Sequence, residues 1–218
     1  DTIEPDMELH DFIESYQNIL DAKYNTLLCR MARTLTHPDR EVETEIGNLF
    51  SDIFAENTGL DVAFIGSGSI RQKELGPIVT LRDIKQIFPF EDTFSRFSVT
   101  GEQLLKIFSH IMRKSNRNSE GECYQVNQGV SAVYDDASAK LVSLTIGEKP
   151  VENDQIYKIG LQEYHVINCE KNLGISIDEL TQIAPSRVVV ASMQAVLDEY
   201  FRHHQAINRT VEGRLVYR

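Results

Sequence analysis

Positive charge is in short supply: 22 lysines and arginines stand against 33 aspartates and glutamates, a formal charge of −11. Nonspecific DNA and RNA binders normally show a basic footprint, so this balance argues against nucleic acid as the partner. It leaves room for a phosphate-bearing small ligand, because a few placed arginines can hold one inside an acidic protein. Long apolar runs are missing too. None approaches the roughly 18 residues that a membrane span requires. The acidic start, Asp1 to Glu8, lacks the features of a signal peptide and reads as a mature terminus or a cut from a longer chain. Cysteine is scarce: Cys29, Cys123 and Cys169 are odd in number, far apart and without a CxxC pair. Neither a disulfide framework nor a zinc site is indicated, and all three read as reduced, small, half-buried hydrophobes.

Catalytic signatures are absent as well. The six histidines include no HExxH and no grouping with Asp and Asn that resembles a metal-ligand set. His203 and His204 are adjacent on a helical stretch, so their side chains diverge by about 100° and do not share a metal. There is no GxSxG and no P-loop. The chain carries no recognisable catalytic engine of its own. What it does have is ordinary globular composition, with 41% hydrophobic and 25% charged residues over 218 positions. A chain of that length buries about 70% of its unfolded surface and needs no disulfide or metal to fold.

Periodicity supplies the elements. Residues 7–20 place Met7, Phe12, Ile13, Tyr16 and Leu20 in an amphipathic helix pattern. Residues 26–35 read as a strand followed by a loop around His37 to Arg40. Ile46, Leu49, Phe50, Ile53 and Phe54 form one helix face, with Gly59 as its stop. Asp61 to Ile65 is a short buried strand, and a second strand at 77–79 leads to Thr80, a plausible N-cap for a helix through Ile87. Pro89-Phe90 ends that helix. Phe94 to Val99 alternates like a strand. Thr100-Gly101-Glu102-Gln103 is a capping box opening a helix with Leu104, Ile107, Phe108, Ile111 and Met112. Strands at 123–135, 140–147 and 155–166, a helix near 188–202 and a closing strand at 210–217 complete the chain. Helices mixed with adjacent strands favour an α+β fold over a doubly wound sheet.

Two places invite chemistry. The turn Gly66-Ser67-Gly68-Ser69-Ile70-Arg71 follows a buried strand, where glycine lets the backbone bend and a ligand approach. It is either a structural turn or a ligand loop, and Arg71 at its end offers a planar fork for phosphate or carboxylate. It is not GxGxxG and no helix follows, which argues against a free-standing dinucleotide-binding enzyme. Phe90, directly after a helix-stopping proline, is either a core plug or a stacking platform.

These residues carry a resemblance. Arg40 with Gly47-Asn48-Leu49, Asp61-Val62-Ala63, the Gly66–Arg71 turn, Pro89-Phe90 and Thr100-Gly101 occur in the order and spacing of one family. From about residue 22 to 217 the chain resembles the C-terminal domain of the 5′-nucleotidases, the family that includes UDP-sugar hydrolase and 2′,3′-cyclic-nucleotide phosphodiesterase. The resemblance implies a 5′-nucleotidase C-terminal domain-like α+β fold. Residues 1–20 would be the end of an inter-domain connecting helix, and residues 21–218 the substrate-binding domain. The implied partner is an N-terminal metallophosphoesterase domain of the same polypeptide, with two divalent metals that activate water. Its G-D-x-H and G-N-H-[DE] motifs are absent here, so no cofactor is expected in this chain and the isolated chain is expected to be inactive. The implied ligand is a nucleotide or nucleoside-type small molecule, and the implied compartment is periplasmic or secreted, with cytoplasmic as the alternative. The implied substrate-binding residues are Arg40, Arg71, Phe90, Gly66, Gly68 and Ile175. Phe90 matches the aromatic that stacks on one face of the base. The sequence departs from the family pattern N-G-G-G-I-R at Gly66, Ser67 and Ser69. It also replaces the G-G-D-G-[FY] loop by residues 169–175, leaving Ile175 where a second aromatic belongs. That departure keeps a second reading open: a diverged, non-catalytic nucleotide-binding or interaction module.

Overall fold

Hydroxyl side chains start most of the helices. Thr44, Thr80, Thr100, Ser176 and Ser192 each accept a hydrogen bond from a backbone N–H three residues on. Each thereby satisfies one of the donors that a helix start leaves without an intrahelical partner. The computed structural model describes residues 6–117 and 121–218, so the first five residues of the expected connecting helix segment lie outside the description. Its helices are α1 (Met7–Tyr24), α2 (Glu45–Thr58), α3 (Leu81–Ile87), α4 (Gly101–Ile111), α5 (Glu163–Ile167), α6 (Cys169–Leu173), α7 (Ile177–Thr181) and α8 (Met193–His203). The fold is α+β.

A four-stranded sheet divides the molecule, in the order Arg187–Val190, Phe94–Thr100, Ile156–Gln162, Val62–Ala63. The first three strands pair antiparallel, and Val62–Ala63 joins in parallel. Period-two alternation sends side chains to opposite faces. Ala63 and Ile65 enter one core with Phe50 and Phe54 of α2, Phe88 at the end of α3, and Phe201 of α8. Val62 and Phe64 enter a second core with Leu104, Ile107 and Phe108 of α4. The 62–65 run is continuously apolar because both of its faces are buried. A second four-stranded sheet, Lys149–Pro150, Lys140–Ile146, Val130–Asp135 and Leu215–Tyr217, closes over α4. Its carboxyl-terminal strand is tied back to α2 by a buried ion pair, Arg214 Nη1 to Asp52 Oδ1 at 2.7 Å.

Several boundaries move from expectation, each for a local reason. The 123–135 strand is two pieces, Tyr124–Gln125 and Val130–Asp135. Between them buried Asn127 accepts from the Ala63 N–H at 2.7 Å and Gly129 takes φ +88°. The strand expected through 166 stops at Gln162, where α5 begins. The helix expected from 188 starts instead after Ser192, and residues 187–190 form an edge strand. The amphipathic helix at 7–20 runs on to Tyr24, with no buried residue along its length.

Candidate functional site

Arg40 sits on the exposed loop between Leu35–Thr36 and α2, and buried hydrogen bonds fix that loop from beneath. His37 Nδ1 lies 2.8 Å from Thr44 Oγ1, and the Thr44 N–H donates to Gln125 Oε1 at 3.0 Å. The same Gln125 donates through Nε2 to the Val42 carbonyl at 2.8 Å and to Ser67 Oγ at 2.7 Å. One side-chain amide therefore clamps the Arg40 loop to the Gly66–Arg71 turn.

That turn is a single 3-10 turn, Ser67–Ser69, strung between backbone partners. The Ser67 N–H donates to the Cys123 carbonyl at 2.8 Å, and the Arg71 N–H to the Ile87 carbonyl at 2.8 Å. The Gly66 N–H donates to Gln162 Oε1 at 3.0 Å. Arg71 is exposed and its guanidinium lies over the Phe90 ring, 5.0 Å from the centroid. Phe90 is half-buried. Its inner edge packs on the first core and meets Phe88 edge-on at 6.2 Å.

Arg40, Arg71 and Phe90 converge on one pocket of about 310 Å³, together with Gly68, Ser69, Asp92, Glu122, Tyr164 and His165. Two guanidinium groups thus face two carboxylates. Burial raises the Glu122 carboxyl above its ordinary range, opposed by the Gly68 N–H and by Arg40 and Arg71. Burial and the neighbouring Glu163 raise Asp92. Burial pushes His165 down to about 4, so its imidazole is neutral at pH 7.

The expected glycines and Ile175 fare differently from the arginines. Gly68 lines the pocket, but its N–H is taken by Glu122 Oε1 at 3.2 Å. Gly66 is buried and does not line the pocket. A Cβ there would come within 3.0 Å of His165 Nε2 and Glu122 Oε1, so close packing requires the glycine. Ile175 is corrected: it is 1% exposed, belongs to the second core and does not line the pocket. Residues 169–173 wind into α6, Gly174 ends it at φ +70°, and the following Ile175 turns inward beside buried Leu173. The second aromatic on the pocket is Tyr164, 55% exposed on α5.

Asp92, Glu122, Tyr164 and His165 are the pocket residues that the sequence does not single out. Tyr164 and His165 lie within a run that reads as strand, where the turn into α5 has no glycine or proline to announce it. Among the described residues, no group of three or more His, Cys, Asp or Glu side chains is placed to hold a metal ion. No helix of the described residues is long and apolar enough to cross a membrane.

The chain is a two-core α+β domain whose pocket is lined by two arginines and by the aromatic rings of Phe90 and Tyr164. The pattern of the family described as 5′-nucleotidase, C-terminal domain matches residues 23–172, and the chain belongs to that family. It is 25% identical to the 5′-nucleotidase of Rattus norvegicus over 199 residues, covering 80% of this chain and 33% of that one. It is 22% identical to the snake venom 5′-nucleotidase of Naja atra over 207 residues, covering 84% of this chain and 38% of the relative. The chain therefore spans only about a third of the length of each of these relatives. Among solved structures it resembles a 5′-nucleotidase precursor from Thermus thermophilus, with a TM-score of 0.74 and 17% identity. That match covers 97% of this chain and 43% of the other. The last likeness concerns the fold.

Proposed function

We propose that this chain is the nucleotide-binding domain of a metal-dependent 5′-nucleotidase-like phosphohydrolase. Its ligand is a nucleotide or nucleoside-type small molecule. The observation that carries this reading is the meeting of Arg40, Arg71 and Phe90, far apart in sequence, on one pocket. The two guanidinium forks suit a phosphate, and the Phe90 ring offers a face to a base. Residues 21–218 form this domain, and residues 1–20 end the helix that joins it to an N-terminal metallophosphoesterase domain of the same polypeptide. Two divalent metals held by that domain would supply the activated water for phosphoric ester hydrolysis. The residues described here do not fit such a centre, so this chain's share of the work is binding and orientation. The setting we propose is extracytoplasmic, and a relative that is a snake venom protein supports it.

A thermal-shift panel of nucleosides, nucleotides and nucleotide sugars tests the reading. Members that fit should raise the melting temperature in a concentration-dependent way. The chain alone should hydrolyse none of them with Mn²⁺ or Zn²⁺ present. One observation favours the rival reading of a diverged, non-catalytic module: the 169–175 segment is folded into the second core rather than presented to the pocket. A panel without a single shift supports that rival.

A further inference from the structure

One buried residue of the pocket lining carries a polar atom without a hydrogen-bond partner among the described residues. His165 is 1% exposed and lines the pocket. Its Nδ1 lies 2.9 Å from the Tyr124 hydroxyl, while its Nε2 has no hydrogen-bond partner among the described residues. Buried polar groups are nearly always paired, because an orphan forfeits its hydration without compensation. The orphan lies beside a second polar group. A single point, where a Cβ on Gly66 would stand, is within 3.0 Å of both His165 Nε2 and Glu122 Oε1. The family pattern has asparagine at this position, and this packing leaves no room for it.

The chemistry of the pair is well defined. An ionised Glu122 only accepts hydrogen bonds, and one of its oxygens is already shared with the Gly68 N–H. A neutral imidazole can play either role. If the Tyr124 hydroxyl donates to Nδ1, Nε2 carries the proton and is a donor. If Nδ1 donates to the Tyr124 oxygen, Nε2 accepts. The Tyr124 hydroxyl can rotate to suit, so the carboxylate sets the requirement: the ligand must bring an N–H or O–H donor beside another polar atom.

We propose that Glu122 and His165 form the specificity pair of this pocket, reading a hydrogen-bond donor and an adjacent polar atom on an uncharged part of the nucleoside. This rests on the nucleotide-binding reading above. Two parts of a nucleoside present that chemistry, the amine-bearing edge of the base and the ribose diol, and analogues tell them apart.

The test titrates the full chain by calorimetry with adenosine, purine riboside (no amine) and 2′,3′-dideoxyadenosine (no diol). The wild type should bind adenosine about tenfold or more tighter than whichever analogue lacks the recognised donor, as for a hydrogen bond to a charged group. Glu122→Gln keeps the shape and an acceptor for Gly68, and should bring that ratio to within about twofold of one. His165→Phe should weaken adenosine in parallel. If its thermal melt shows misfolding, Glu122→Gln alone decides. Equal affinity for all three ligands in the wild type, or an unchanged ratio in Glu122→Gln, overturns the specificity pair and leaves nucleotide binding standing. Binding of no nucleoside or nucleotide at all by the wild type overturns both.

Discussion

The Arg71 guanidinium and the Phe90 ring are stacked partners, 5.0 Å from carbon to centroid, so the cation covers a face that a flat base would use. An exposed cation–π contact is worth about 0.5–1 kcal/mol, less than either a phosphate ion pair or a stacked base. A nucleotide resolves the competition by drawing the guanidinium to its phosphate, whereas a nucleoside must displace it. Arg71→Ala should therefore weaken binding of a 5′-monophosphate by about 10–100-fold, while its nucleoside stays within about threefold of the wild type. Arg71→Lys should fall between the two for the monophosphate. Melting should hardly move, because the side chain is exposed. A drop of several degrees with both affinities unchanged would assign Arg71 a structural role.

Phe90 joins two functions that the sequence presents as alternatives. Its outer face borders the pocket and its inner edge rests on Phe88. Truncation to alanine should cost about 1–3 kcal/mol of nucleoside binding, by analogy with base–aromatic stacking. It should also cost about 1–3 kcal/mol of stability, less than the about 3–5 kcal/mol expected for Phe88→Ala, which is 0% exposed. Denaturant melts and nucleoside titrations of both variants check this. Equal stability losses in the two variants, with affinity intact in Phe90→Ala, make Phe90 a core residue only.

Ile175→Phe separates core from pocket directly. A side chain 1% exposed among the second-core residues has no room for a larger ring. The substitution should lower stability by about 1–3 kcal/mol through overpacking. It should not tighten nucleoside binding. A gain in affinity without loss of stability would return Ile175 to the pocket wall.

Much of the fold could be read because helix starts and buried strands leave local signals. The capping residues Thr80 and Thr100 and the stop at Gly59 sit where the sequence puts them. The apolar 62–65 run is buried on both faces. Arg71 and Phe90 could be selected because one ends a glycine turn and the other follows a helix-stopping proline, whereas Arg40 was legible only through the family resemblance. Other features depend on tertiary contacts that no short window contains. The break after Gln125 is held by Asn127 on Ala63, a residue from a distant strand. Glu122 and His165 meet only because Gly66 has no side chain to keep them apart. Ile175 escapes sequence reasoning because alignment to a missing loop says nothing about where α6 sends the chain.

Acid should weaken the fold through His165. Its folded value, about 4, lies below the ordinary value of 6.5, because burial penalises the charged ring. The neutral form is favoured in the folded state, so the stability it contributes is fully present above about 6.5 and lost as pH falls toward 4. A shift of this size corresponds to about 3 kcal/mol. Glu122 and Asp92 act in the opposite sense: their raised values favour the protonated folded form, and their ionisation reduces stability as pH rises. Urea melts at about pH 7 and about pH 4.5 should show a fall in the wild type that is smaller in His165→Gln. An identical fall in both proteins would place the acid sensitivity elsewhere.

Gln125 should couple stability to ligand affinity, although it does not line the pocket. It is 1% exposed and spends both ends of its amide on backbone and side-chain partners from two segments. It also packs against Gly47, where a Cβ would collide with it, so neither the amide nor α2 can shift to compensate for its loss. Gln125→Leu keeps most of the volume but leaves the buried Thr44 N–H and the buried Ser67 Oγ without their partner. Each unpaired buried group costs about 1–3 kcal/mol, giving an expected loss of about 2–5 kcal/mol. Gln125→Glu retains an acceptor for Thr44 but buries a carboxylate and sets one of its oxygens against the Val42 carbonyl, so it should lose at least as much stability. Both variants free the Arg40 loop from the Ser67 turn, so nucleotide affinity should fall while the bound stoichiometry stays unchanged. Chemical denaturation and monophosphate titration measure the two effects separately. Full stability loss with unaltered affinity would show that the Arg40 loop keeps its position without the Gln125 clamp.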